Sequence, residues 1–140
     1  MSTDADLDWH AQRRRAVEAH ARAQEDRRAR EAQRAAELIA TFVRDAAERG
    51  IAPVALTAPG HRGRARYRTG LHGWYLDRQH SLAVDTQGRF YILTVPNSAR
   101  ARLTGVHPEP GPAPLVIGRG GRDGESIPLE ILLRRRLAEA

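Results

Sequence analysis

The spacing of apolar residues divides this chain into a helical first part and an extended second part. Ala32, Ala35, Ala36, Leu38, Ile39, Phe42, Val43 and Ala46 recur at helical spacing and define one core-facing stripe. Upstream, from His10 to Glu31, the only large aliphatic residue is Val17. Ala, Arg, Glu and Gln, all strong helix formers, dominate, and no Pro or Gly occurs before Gly50. Thr3 with Asp6 has the form of a capping box, Asp4, Asp6 and Asp8 suit a helix N-terminus, and Arg49-Gly50 forms a stop with Pro53 beyond it. The pattern predicts one helix of about 45 residues, about 65–70 Å long at 1.5 Å per residue. That length exceeds the domain it would serve, so part of the helix must project or pair.

After Gly50 the period shortens to two. Ile51 to Thr57 reads as a short strand, and Ala58-Pro59-Gly60 as a turn. His61 to Thr69 alternates, with Arg62, Arg64, Arg66 and Arg68 on one predicted strand face and Gly63, Ala65, Tyr67 and Thr69 on the other. The stretch Leu71 to Val95 holds Trp74, two of the three tyrosines and one of the two phenylalanines. Two apolar runs flank Asp85-Thr86-Gln87-Gly88, a hairpin turn closed by glycine. Pairing Asp85 with Arg89 sets Val84 opposite Phe90 and Leu82 opposite Ile92 on one face. Ala83 with Tyr91 and Ser81 with Leu93 take the other. Leu71 to Leu76 adds a third strand through the turn Asp77 to His80.

Pro96-Asn97-Ser98 reads as a turn and Ala101 to Val106 as a strand. Pro108 to Pro114 is a stiff, extended connector. Leu115-Val116-Ile117 is a short buried strand, followed by the glycine-rich Gly118 to Gly124. Ile127 to Ala140 reads as a closing helix, with Ser126 as N-cap and Leu129, Leu132, Leu133 and Leu137 on one face. Strands run together between helices, so the expected class is α+β: a long N-terminal helix, an antiparallel meander of three to five strands, and a short C-terminal helix. Residues 1–31 form a solvated charged arm, and residues 32–140 a single domain that includes the C-terminal half of the long helix.

Charge refines this division. All 23 basic residues of the 140 are Arg, a usage that goes with the enrichment in Ala and reads first as genome composition. Residues 1–50 carry ten Arg and ten acidic residues, and residues 51–140 thirteen Arg and seven acidic residues. The whole formal charge of +6 therefore lies in the second part. In the arm, Arg14, Glu18, Arg22, Asp26 and Arg30 alternate in sign every four residues, the spacing of ion pairs that support a solvated helix. The most cationic feature is Arg62 to Arg68, with no acidic residue between Glu48 and Asp77. With Arg100, Arg102, Arg119 and Arg122 these form the candidate anion-binding set; as an edge strand, the same arginines would simply guard against pairing.

The chemistry of catalysis is poorly represented. There is no Cys, and His10, His20, His61, His72, His80 and His107 make no HxH or HExxH pattern. No metal, cofactor or catalytic residue is indicated. Gly118 to Gly124 before a helix has the outline of a phosphate cradle, with Arg119 and Arg122 in favour. Asp123 and Glu125 oppose an anion there, and the GK[ST] of a P-loop is missing. No apolar run reaches the roughly 18 residues of a membrane span, and a cytoplasmic protein is expected.

Trp74-Tyr75-Leu76 resembles the tripeptide that names the WYL domains, small β-barrels of transcriptional regulators that sense nucleic-acid ligands. The match covers three residues. The arginine-rich run that follows the tripeptide in that family is replaced by Asp77 to Ser81, so no ligand site carries over. The combination of HGWYL, the DTQG hairpin and GRGGRDGES before a short helix resembles small actinobacterial proteins over residues 65–140, and implies no activity. Three functions remain open. The first is a non-enzymatic protein-interaction or assembly module that uses the projecting helix, by binding another protein or by self-association. The second is a nucleic-acid-binding accessory that uses Arg62 to Arg68. The third is a small enzyme or phosphate binder at Gly118 to Gly124.

Overall fold

The computed structural model describes residues 3–118 and 125–139. Helix α1 runs unbroken from Asp4 to Glu48. Thr3 accepts the Asp6 amide while the Asp6 carboxylate accepts the Thr3 amide, closing the expected capping box. At the other end Gly50 takes a φ of +70°, and Ile51 N–H turns back to the Ala46 carbonyl.

Four strands follow, β1 (Val54–Pro59), β2 (Arg66–Tyr75), β3 (Leu82–Asp85) and β4 (Phe90–Ile92). They pair in sequence order as an antiparallel meander. The hairpin register is the one the alternation dictates: Leu82 opposite Ile92, Ala83 opposite Tyr91, Val84 opposite Phe90. Gly88, at a φ of +82°, closes its turn. Gly73 has a different role. A Cβ there would sit 2.0 Å from the Val84 carbonyl oxygen, so only glycine lets β2 approach β3 this closely.

The sheet is strongly bent. Between the pairs Ala55–His72 and Thr57–Arg68, β1 advances two residues and β2 four, which makes a bulge around Gly70 at a φ of +73°. The Thr69 hydroxyl satisfies backbone groups there, donating to the Leu56 carbonyl at 2.6 Å and accepting from Leu71 N–H at 3.1 Å. Past β4 the chain returns to β1. Val95 bridges Gly60, with Val95 N–H on the Pro59 carbonyl and His61 N–H on the Val95 carbonyl. The sheet thus curls toward a partly closed barrel.

Both sheet faces are buried as a result. Outside the curl, Trp74, Leu76, Val84 and Phe90 pack against Ile39 and Phe42 of α1 and Leu132 and Leu133 of α3 (Leu129–Ala138). Inside it lie Leu56, Ala58, Ala83, Tyr91 and Leu93. Phe42 and Leu132 share one core, as the helical periods require.

Four sequence expectations are corrected. The strands expected at His61–Thr69 and Leu71–Leu76 are one strand, β2, that starts only at Arg66; Arg62 and Arg64 lie in the preceding turn. Ala58-Pro59 belongs to β1 rather than to a turn. Ala101 to Val106 is not a strand but mostly helix α2 (Ala99–Thr104), because the Ser98 side chain caps the Ala101 amide and Ala101 is buried. The final helix starts at Leu129, not at Ile127. Residues Ser126–Pro128 form β6, paired with β5 (Val116–Gly118), and Pro128 holds the residue before it in extended backbone. Leu129 N–H then donates to the Leu115 carbonyl instead of to a side-chain cap.

From Asp4 to Glu31 every residue except the half-buried Ala11 is exposed. None of the alternating Arg–acid pairs of this arm closes to 4.0 Å; among the described residues the ion pair on α1 is Arg34–Glu37, at 3.9 Å. The arm therefore rests on helix propensity, its cap and diffuse charge alternation. Deletion of residues 1–31 should leave a cooperative melt of nearly unchanged midpoint. Phe42→Ala should cost about 3–5 kcal/mol in chemical denaturation, since it empties the contact between α1 and the sheet.

Candidate functional site

Three polar features stand out on this frame. The first is internal. Asp85 ends β3 with 3% exposure and accepts four hydrogen bonds. The donors are Gln87 N–H (2.9 Å), Arg89 N–H (2.9 Å), Arg89 Nε (2.6 Å) and Tyr91 Oη–H (3.0 Å). Burial pushes the Asp85 carboxyl up, but these bonds, led by those from Arg89, outweigh it and hold the carboxyl below its usual range. Burial, with the same carboxylate, pushes the Tyr91 phenol up. With its oxygens occupied, Asp85 organises the hairpin and is not poised for proton transfer.

The second feature is a cluster on the curl. Thr57 N–H, next to the bulge, donates to Tyr75 Oη at 2.8 Å. The Tyr75 ring stacks on His80, 4.0 Å between centroids. The Arg66 guanidinium lies 5.9 Å from the Tyr75 ring and donates to Thr57 Oγ1 at 2.7 Å and to the Thr57 carbonyl at 2.8 Å. Burial raises the Tyr75 phenol, but the Thr57 bonds and Arg66 together hold it below an ordinary phenol. His72 and His80 do not form a pair: His80, at a φ of +58°, belongs to the Tyr75 stack.

The third feature is the arginine face. Helix α2 lies beside the turn before β2 and the first half of that strand. Arg62 N–H donates to Asn97 Oδ1, and Asn97 Nδ2 donates to the Arg62 carbonyl, both at 2.8 Å. Tyr67, buried, accepts Ser98 N–H on its hydroxyl at 2.9 Å, and the Arg68 guanidinium donates to the Leu103 carbonyl at 2.9 Å. Arg62, Arg64, Arg66, Arg68, Arg100 and Arg102 are all exposed. The structure thus places six of the eight candidate arginines on three neighbouring elements, the 61–65 turn, β2 and α2. Arg119 and Arg122, with the glycine-rich segment 119–124, lie outside the described residues.

These six are not equivalent. Arg66 and Arg68 tie elements together through backbone carbonyls, so they are part of the fold as well as of its surface. Among the described residues none of the six is in an ion pair. The reason is visible in the fold. Residues 49–76 contain no acidic residue, nor do residues 86–108, and the bonds from Arg62 and Arg68 hold the two segments side by side. The second acid-free stretch is a sequence signal in its own right; what concealed its meaning was the reading of Ala101 to Val106 as a separate strand.

A cleft of about 710 Å3 opens between the β2–β3 turn, β4, the β5–β6 pair and α3. Leu76, Phe90, Ile117 and Leu132 line its interior, with Arg78 and Arg135 also lining it. Asp77, beside it, is engaged by Ser81 N–H at 2.9 Å, Leu82 N–H at 3.0 Å and the Ser81 hydroxyl. Among the described residues no grouping of His, Asp and Glu is arranged to hold a metal ion, and no helix is long and apolar enough to cross a membrane. Comparison with protein-family models, curated proteins and solved structures gave no match.

The two tyrosines make the hydrogen bonding testable. In an absorbance titration Tyr75 should ionise below an ordinary phenol and Tyr91 above it, with Tyr75→Phe and Tyr91→Phe each removing one of these steps. Asp85 contributes on the acid side. Its folded value lies below its unfolded one, so its stabilisation is complete above about pH 4 and is lost as pH falls through the folded value. Asp85→Asn should cost about 1–3 kcal/mol at neutral pH, from unmatched donors, and should flatten the fall in denaturation midpoint below about pH 4.

Proposed function

We propose that the protein is a non-enzymatic interaction or assembly module that presents the helical arm to a protein partner, another chain or a second copy of itself, in the cytoplasm. The observation that carries this reading is the arm itself. Asp4 to Glu31 extends about 42 Å at 1.5 Å per residue and buries almost nothing within the chain. It nevertheless bears Leu7, Trp9 and Val17, exposed at 61%, 54% and 63%. The Trp9 ring lies edge-on to His10 at 5.1 Å and beneath Arg13 at 5.4 Å. A helix polar nearly all round that runs through solvent without packing on its own domain is free to meet a partner outside the chain.

A photoreactive side chain at Val17 of the full chain, activated in living cells, should yield a discrete cross-linked protein species. The same probe at the exposed position of Gln79 serves as control. Mass spectrometry of the adduct distinguishes self-association from a different partner. No adduct at Val17, or the same adducts from both positions, would overturn the proposal.

A further inference from the structure

We infer that the face built by the 61–65 turn, the start of β2 and α2 binds the phosphodiester backbone of a nucleic acid. This inference does not depend on the arm. It rests on the folding together of the two acid-free segments, 49–76 and 86–108, which sets six exposed arginines on three neighbouring elements. Among the described residues the arginines in ion pairs are Arg34 with Glu37, Arg89 with Asp85 and Arg134 with Glu130, each pair within four positions of the chain. No acidic residue lies within four positions of any of the six on this face.

The geometry suits a linear polyanion. Arg66 and Arg68, two residues apart on a strand, are spaced about 6.6 Å along it. Arg62 and Arg64 lie in the turn before it, and Arg100 and Arg102, two residues apart on a helix, flank the buried Ala101 on either side of α2. The guanidinium groups of Arg66 and Arg68 are held by the Thr57 and Leu103 carbonyls, which fixes part of the face before a ligand arrives. Planar guanidinium donors fit phosphate oxygens, and such contacts give affinity without base recognition. Tyr67 is buried with its hydroxyl bound to Ser98, and the Tyr75 ring beside Arg66 is already stacked on His80. Backbone contact, rather than base stacking, is therefore the expected mode.

The test uses the full chain. A labelled DNA duplex and a labelled single strand are titrated at several salt concentrations. Log K should fall linearly with log salt, by about 0.9 per phosphate contact on the duplex and about 0.7 on the single strand. Arg62→Gln, Arg64→Gln, Arg100→Gln and Arg102→Gln are combined in one variant, leaving the bonded Arg66 and Arg68 in place. Its thermal midpoint should match the parent, and its salt slope on duplex should shrink by up to about 3–4 units. A control variant with Arg13, Arg14 and Arg15 changed to Gln should bind like the parent. Absence of parent binding at low salt, an unchanged slope in the four-arginine variant, or an equal loss in the arm variant would overturn the inference. So would tighter binding to vesicles of anionic phospholipid than to either nucleic acid at the same salt. If the four-arginine variant fails to fold, the pairs Arg62/Arg64 and Arg100/Arg102 are changed separately. Each should then remove about half of the slope difference.

Discussion

The indole of Trp74 is the joint on which the fold turns. Its ring lies edge-on to Phe42 of α1, 5.9 Å between centroids and nearly perpendicular, and its Nε1–H donates to the Ile51 carbonyl at 2.9 Å. One buried side chain on the central strand thus fixes the helix, the peptide that leaves the helix, and the sheet with respect to one another. Its backbone sits opposite Val84, which carries the same contact into the hairpin. Gly73, immediately before it, lets the neighbouring strand come close enough for that face to close. Aromatic pairs of this kind gain from ring geometry as well as from buried area. Everything upstream of Ala32 lies beyond the reach of this joint, which is why α1 can be half core and half arm.

A second constraint is the treatment of charge. The buried carboxylate, Asp85, has a full set of donors within its own hairpin, and the half-buried Asp77 is satisfied within its turn. Among the described residues no buried side-chain polar atom lacks a partner. Polar groups that are fully satisfied hold a fold in one arrangement. Unmatched charge is confined to the surface, where the curl gathers Arg62 to Arg68 and Arg100 to Arg102. The arm and this face are distinct surfaces on one frame, one electrically balanced and one cationic.

Some of this was legible in particular residues. Thr3 and Asp6 marked the start of α1, and Gly50 its end, because capping depends on neighbours three or four residues away. The DTQG turn set the β3–β4 register, because a one-residue slip would put Val84 and Phe90 on the wrong face. The helical period around Phe42 and around Leu132 identified both core faces. Local pattern misled where two periods were both available. Ala-Arg-Ala-Arg alternates as a strand should, but the Ser98 cap and the burial of Ala101 made it helix α2. The leucines of the last segment suggested a helix from Ile127, but Pro128 and the pairing of Ile127 with Ile117 held the start of that segment in a strand.

The sequence by itself therefore determined the element types that rest on short-range chemistry, the order of the meander, and the split between a core stripe and a solvated arm. It also determined that the excess positive charge lies after residue 50. Only the tertiary structure decided that the sheet curls until Gly60 meets Val95, that the β2 bulge is held by Thr69, and that α2 lies beside β2. Those contacts join residues 13 to 35 positions apart, and their energies depend on which backbone groups a bend leaves unpaired. No local period encodes that. The arginine face is the result: its residues could be read in the sequence, but their placement on neighbouring elements is a property of the curl.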